Sequence, residues 1–403
     1  MVRLSNSDDW TGGRSREGWL GYPPRVWAGL LVVGFFLQVA GMLYANGGVF
    51  HAGDSEQYIG SADNVLHGLP PVGFRSAYIG YVMVVATFKF LGLGLPGVVA
   101  FQVVLALVTA MAVFDLGRKA GGMGAGYMAA ALFLWNPDVV RWHVYILSDS
   151  TYMSMVVLTV WSAHRATERR TPGALAIALV LLCAATLIRP HGWVLPPAVF
   201  GSWAILLPTS QWKRAFFLGA VVVTFLLLMV CGSYFKEKRK EATDSVQRLF
   251  CGHVFGAPPN PWAVSMPVSM PGDDREVARY ILRHPLACAK LGLARIGAEV
   301  VHGRPYFSVR HNLFIVVVYP ALYLLALWSC FRLWRTPLVL LVLMVATGHS
   351  GVVALTFADI DGRTVLYMYA LLAVLASLSL ARLVGRTDLG PHEPAPSAPN
   401  RQA

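Results

Sequence analysis

Three stretches of the chain place charged side chains where an apolar run ends. HAGDSEQYIGSADNVLHGLPP sets Asp54 and Glu56 just beyond the first run, and NPDVVRWHVYILSDSTYMS sets Asp149 between Ser148 and Ser150 at the start of another. AATLIRPHGWVLPP interrupts a nearly continuous apolar stretch with Arg189 and His191. A carboxylate at such an edge can accept the proton of a hydroxyl nucleophile. The hard oxygens of Asp54 and Asp149 together would also suit Mg²⁺ or Mn²⁺. The fixed donor fork of an arginine suits a phosphate, and besides Arg189 the segment VHGRPYFSVRHN offers Arg304, Arg310 and His302. His253, His302 and His311 lack the spacing of a zinc site. Plainer roles exist for each residue: Asp54 and Asp149 stand where helix N-caps stand, Arg189 can snorkel to headgroups, and Arg304 with Arg310 can form an interfacial basic cluster.

What carries these residues is a series of apolar runs. The chain has 403 residues, 56% hydrophobic and 13% charged, with a mean hydropathy of +0.55, a composition that no soluble domain could display to water. Runs fall at 26–45, 78–93, 98–116, 124–136, 148–164, 173–188, 191–207, 214–232, 313–331, 336–357 and 364–384, eleven in all. A helical span needs about 20 such residues, and the alternating strands of a β-barrel are absent. The net charge of +12 lies in short clusters between runs, which is the positive-inside pattern and excludes a nucleic-acid surface.

Counting all eleven runs as spans would put Arg118, Lys119 and then Arg165, Arg169 and Arg170 outside, against that pattern. The run 78–93 is short, holds Lys89 and lies between Pro70–Pro71 and Gly92, so it is read as a re-entrant or interfacial helix. About ten spans remain, with both termini inside. The expected organisation is a cytosolic N-terminal tail (1–25) followed by an uncleaved first helix, a transmembrane module (26–232) with external loops at 46–97 and 137–149, a long external loop (233–312), C-terminal transmembrane helices (313–384) and a disordered tail (385–403). On this plan Asp54, Asp149 and Arg189 share one membrane face, where ionisable groups are costly unless used or paired. Cys251 and Cys288 share the long loop, where an oxidising exterior favours a disulfide between them. No internal repeat is evident, which weighs against an inverted-repeat transporter.

The succession GDSEQYIGSADNVLHG, FLGLG, LSDSTY and LIRPHGWVLPP resembles the GT-C superfamily of membrane glycosyltransferases, in particular family 39, which holds protein mannosyltransferases and aminoarabinose-transferase-like enzymes. The resemblance covers residues 26–207. It implies an all-α GT-C-type bundle with external loop helices, embedded as a multi-pass protein in the plasma (inner) membrane, with its active site on the external or periplasmic face. It further implies transfer of one sugar, with inversion, from a polyprenyl-phosphate donor to an acceptor that is a lipid, a polysaccharide or a protein. Asp54 would be the catalytic base, with Glu56 and Asp149 assisting; the family's adjacent Asp-Glu pair is here separated by Ser55. Arg189, Arg304, Arg310 and His302 would bind the donor phosphate, and Asp54 with Asp149 would hold any divalent metal. Two other classes fit a membrane bundle with these charges: a transporter or flippase for lipid-linked substrates, and an O-antigen-ligase or polymerase-like enzyme relying on loop Arg and His.

Overall fold

A computed structural model describes residues 23–51, 53–71, 73–206, 219, 252–256, 263–267 and 274–384. Residues 1–22, the run 214–232 save Gly219, Cys251 and the tail 385–403 lie outside the described residues. Helix α1 (Pro24–Ala45) starts at a proline in its first turn, where the missing N–H is not needed. Amphipathic α2 (Ser55–Leu66) follows, then a 3₁₀ turn, Gly73–Tyr78, leading into α3 (Ile79–Phe90). At 12 residues, α3 is about 18 Å long, well short of the roughly 30 Å of a bilayer's hydrocarbon.

Helix α4 (Gly94–Leu134) is 41 residues long but not continuous, because Gly121 (φ −148°) and Gly122 (φ 81°, ψ 179°) leave the helical conformation. Only glycine adopts the Gly122 backbone without strain. The chain doubles back there, and a Cβ on Gly117 would stand 2.9 Å from the Ala125 carbonyl oxygen. The two runs at 98–116 and 124–136 are thus the limbs of one tight hairpin. After short α5 (Pro137–Val140) come α6 (Ser148–Arg169), α7 (Pro172–Ile188), capped by the Thr171 hydroxyl on the Ala174 N–H, and α8 (Leu195–Leu206). Helices α9 (Asp274–Arg283) and α10 (Pro285–Val301) occupy the expected long loop. The chain ends in α11 (Val309–Leu333), α12 (Pro337–Leu355) and α13 (Arg363–Leu383).

Among the described residues five helices, α1, α4, α11, α12 and α13, are long and apolar enough to cross a membrane. About ten spans were expected; α4 joins two of the expected runs in one hairpin, the run 214–232 lies outside the described residues save Gly219, and other helices fall short for physical reasons. Helix α6 is rich in Ser and Thr and buries most of them, together with Asp149, against the rest of the bundle; it faces protein rather than lipid. Helix α7 has only 17 residues. Helix α13 is almost wholly enclosed, packing on α4, α6 and α11, and forms the axis of the core. Cys288 is half-buried on α10; Cys251, its expected disulfide partner, lies outside the described residues.

Leu91, before α4, and Met123, at the hairpin turn, are both well exposed. If the first limb of α4 crosses the membrane, a cysteine at Leu91 reacts with an impermeant maleimide from outside intact cells, and one at Met123 only after permeabilisation. Labelling of both from the same side would refute the crossing.

Candidate active site

The two loops carrying the acidic residues are joined at their base. The Phe50 N–H donates to the Val144 carbonyl and the Ile146 N–H donates back to the Phe50 carbonyl, each at 3.3 Å. Buried Gln102 of α4 fastens the same turn, donating to the carbonyls of His143 and Tyr145 at 2.9 Å while accepting from the Tyr81 hydroxyl of α3. The apolar hairpin thereby fixes both α3 and the turn that leads to Asp149.

Asp54 stands at the N-cap of α2, yet its side chain makes no capping bond. Its Oδ1 accepts from the Arg75 guanidinium at 2.9 Å, and its side chain is 44% exposed against 2% for Arg75. Arg75 comes from the 3₁₀ turn before α3; it also donates through Nε to Gln57 and lies over the rings of Tyr58 and Tyr78. Helix α3 sits tightly on the end of α7: a Cβ on Gly80 would stand 2.8 Å from the Leu187 carbonyl carbon. That approach brings the Arg75 turn close to Arg189, which also stacks on Tyr78.

Asp149, in the first turn of α6, is enclosed. Its Oδ1 accepts from Arg189 at 2.8 Å and from the Tyr367 hydroxyl of α13 at 2.6 Å, while Oδ2 has no hydrogen-bond partner. Arg189 ends α7 in an extended conformation, donates to the Ser148 hydroxyl at 3.1 Å and lies over the Tyr367 ring. Ser148 in turn meets the Tyr58 hydroxyl at 3.0 Å. A third arginine, Arg363 at the start of α13, stands between the carboxylates, 3.7 Å from Asp54 Oδ2 and 4.0 Å from Asp149 Oδ2. It is steadied by Asp361 at 3.0 Å and Asp359 at 3.5 Å, and its guanidinium lies over the Trp142 ring. A metal bridging Asp54 and Asp149 would have to sit where this guanidinium is, and among the described residues no three His, Cys, Asp or Glu side chains are grouped to hold one. The donor set does not fit a divalent cation.

The other expected residues are placed elsewhere. Glu56 is 73% exposed and pairs with His51 at 3.3 Å. Arg304 is buried and donates to the carbonyls of Ile360, Gly303, Ala298 and Asp359. Arg310 is exposed. His302 packs on Tyr319, with Nε2 3.9 Å from Asp138, and His311 meets the same carboxylate at 2.5 Å. Burial alone would raise the pKa of Asp138, but the nearby His302, the bond from His311 and the Arg141 guanidinium outweigh it and hold the group far below the usual carboxylate range. None of Glu56, Arg304, Arg310 and His302 is bonded or paired to Asp54 or Asp149. Arg75, Arg363, Tyr58 and Tyr367 complete the site instead, and the sequence marked none of them: two are basic residues beside turns and two read as core aromatics.

The buried pair gives a stability test. Arg189→Ala leaves Asp149 enclosed without its main partner and costs about 3–5 kcal/mol, read as a lowered melting temperature of the detergent-solubilised protein. Removing both charges with Asp149→Asn and Arg189→Leu costs less than the sum of the single losses. Strict additivity would mean the two charges do not support each other.

Residues 78–234 match the sequence model of the family described as dolichyl-phosphate-mannose-protein mannosyltransferase. Among curated proteins nothing matches. The fold is similar to that of the archaeal oligosaccharyltransferase AglB from Archaeoglobus fulgidus, solved with an inhibitory peptide and a dolichol-phosphate, at a TM-score of 0.54 and 14% identity over 90% of this chain and 50% of that one. The apo form of the Archaeoglobus fulgidus oligosaccharyltransferase gives a TM-score of 0.54 and 13% identity, over 89% of this chain and 51% of that one. The chain thus spans about half the length of the solved structures it matches. It is a helical membrane protein whose fold is similar to that of these oligosaccharyltransferases, and its residues 78–234 are similar to the dolichyl-phosphate-mannose-protein mannosyltransferase family.

Proposed function

We propose that the protein transfers a single sugar from a polyprenyl-phosphate carrier to an acceptor hydroxyl on the external face of the membrane, with inversion and with Asp54 as general base. The family match and the GT-C fold support the donor class. The observation that carries the base assignment is the contrast between the two carboxylates: Asp54 is 44% exposed, whereas Asp149 is 4% exposed and already accepts two bonds on one oxygen.

In this mechanism the acceptor oxygen attacks the anomeric carbon, its proton passes to an Asp54 oxygen, and the bond from that carbon to the phosphate oxygen breaks with its electron pair leaving on the phosphate. A lipid phosphate departs as a stable anion, so no general acid is required. The growing charge needs fixed cations in a site shielded from water. Arg363 is placed for this, because it faces both carboxylates without a close bond to either. Arg75 and Arg189 are more tightly held; they orient Asp54 and Asp149.

Asp54→Asn preserves shape but cannot take the proton, and lowers kcat on the order of a hundredfold or more. Glu56→Gln, on an exposed side chain, changes it little. The measurement is sugar release from a polyprenyl-phosphate donor by the purified full-length protein. Near-normal turnover by Asp54→Asn would overturn the base assignment and return the transporter and ligase-like readings.

A further inference from the structure

The turn that presents Arg363 is closed from within, the Asp361 N–H donating to Asp359 Oδ1 at 2.8 Å and the Gly362 N–H to the Asp359 carbonyl at 3.2 Å, but these bonds leave the first N–H groups of the following helix unanswered. Helix α13 begins after Gly362, which takes a left-handed conformation (φ 67°) and has no side chain to cap the helix. The first N–H groups of a helix lack internal partners and, when buried, must find acceptors elsewhere. Here the acceptor is supplied from another element. Glu299, on α10 of the long loop, is buried; its Oε1 accepts from the N–H groups of Thr364 at 2.9 Å and Val365 at 3.3 Å. Those are the second and third residues of α13, the positions an N-cap side chain normally serves. Its Oε2 accepts from the Asp359 N–H at 2.7 Å, so one carboxyl group spans the turn from 359 to 365.

The carbonyl side of the same turn is held by the same loop. Arg304 donates to the carbonyls of Asp359 and Ile360, and the Tyr306 hydroxyl donates to Ile360. A short backbone pairing adds to this, the Ala358 N–H donating to the Val254 carbonyl at 2.8 Å and the Gly256 N–H to the Ala358 carbonyl at 3.1 Å. Within this cradle only Glu299 reaches the helix itself, one residue beyond Arg363. A carboxyl group at a helix N-terminus is also favoured by the helix dipole.

We infer that Glu299 is a positioning residue for the active site: by capping α13 from the loop helix α10 it fixes the backbone of Arg363, and so holds that guanidinium between Asp54 and Asp149. The inference rests on the proposed role of the Asp54 site but concerns geometry that can be read without turnover. On this view the long loop does more than cover the membrane face, because it sets the register of the arginine that answers the donor's charge. Glu299 itself touches no reacting atom.

The test is carboxyl footprinting of Asp54 in the purified full-length protein, with a water-soluble carbodiimide and an amine, read by peptide mass spectrometry. The variants are Glu299→Ala, Glu299→Gln, Arg363→Ala and the Glu299→Ala/Arg363→Ala pair. Asp54 is partly exposed and screened by Arg363, so Arg363→Ala raises its labelling severalfold. Glu299→Ala raises it comparably and adds nothing in the Arg363→Ala background. Glu299→Gln, which retains an acceptor for Thr364 and Val365 but turns an amide toward the Asp359 N–H, lies between wild type and Glu299→Ala. Melting temperatures taken in parallel identify any variant that fails to fold, and Glu299→Gln then carries the comparison. Labelling of Asp54 at the wild-type rate in a folded Glu299 variant, or an equal increment from Glu299→Ala with and without Arg363, would overturn the assignment. In the transfer assay the folded Glu299 variants lower kcat with the donor KM little changed. Absence of transfer by the wild-type protein would refute the proposed function while the footprinting still decides the role of Glu299.

Discussion

The ion pair of Arg189 with Asp149 constrains everything around it. Two charges removed from water lose several kcal/mol of hydration each, and their mutual attraction makes this good only when the remaining donors and acceptors are also answered. Four elements meet that demand: Asp149 comes from α6, Arg189 from the end of α7, the Tyr367 hydroxyl from α13, and Ser148 with Tyr58 joins the pair to α2. None of these helices can shift or rotate appreciably without exposing a buried charge. A region that would otherwise be held by non-directional apolar packing is thus given one arrangement, which is the precision a reacting centre requires.

Around that pair the chain divides its work between apolar and polar elements. The hairpin of α4 supplies bulk and closeness, and its single buried Gln102 secures the turn before Asp149 and the helix that follows Arg75. Helix α6 contributes polar groups that α4 could not contribute while facing lipid. The long loop acts on the site from the other side, through Glu299, Arg304 and Tyr306 on one turn. The aromatic rings have a consistent place here: Tyr58, Tyr78 and Tyr367 cover the guanidinium faces of Arg75 and Arg189, leaving their in-plane N–H groups for carboxylates.

Asp54, Asp149 and Arg189 were legible in the sequence because each interrupts an apolar run, where a charge is conspicuous by its cost. Arg75 and Arg363 were not, since both lie beside turns, where basic residues of a membrane protein are commonplace, and only the fold reveals that they turn inward. Arg304 is a different case: an arginine near a membrane edge suggests a phosphate, and only the fold shows its guanidinium bonded to backbone carbonyls. Hydropathy reports what a helix could face, and α6, polar and enclosed by its neighbours, faces protein. Residues 98–116 and 124–136 were rightly separated, because the glycines at 121 and 122 mark the break directly.

The two carboxylates differ less in chemistry than in freedom, and this difference orders the site. Asp149 has one oxygen bonded twice and the other closed off without a bond; a proton delivered to it would cancel the charge that holds Arg189 and weaken the pair that joins four elements. Asp54 has Oδ1 fixed by Arg75 and Oδ2 loosely faced by Arg363, so it can gain a proton while keeping its orientation. Burial and reach therefore belong to separate groups, with Asp149 as the anchor and Asp54, on the proposed mechanism, as the proton acceptor. On that mechanism Arg363 answers to both: as Asp54 takes up a proton, the attraction holding the guanidinium toward it weakens, and its positive charge becomes more available to a phosphate carrying a growing negative one. A cation shared between a fixed carboxylate and a titrating one can follow the reaction, provided that its backbone stays in place.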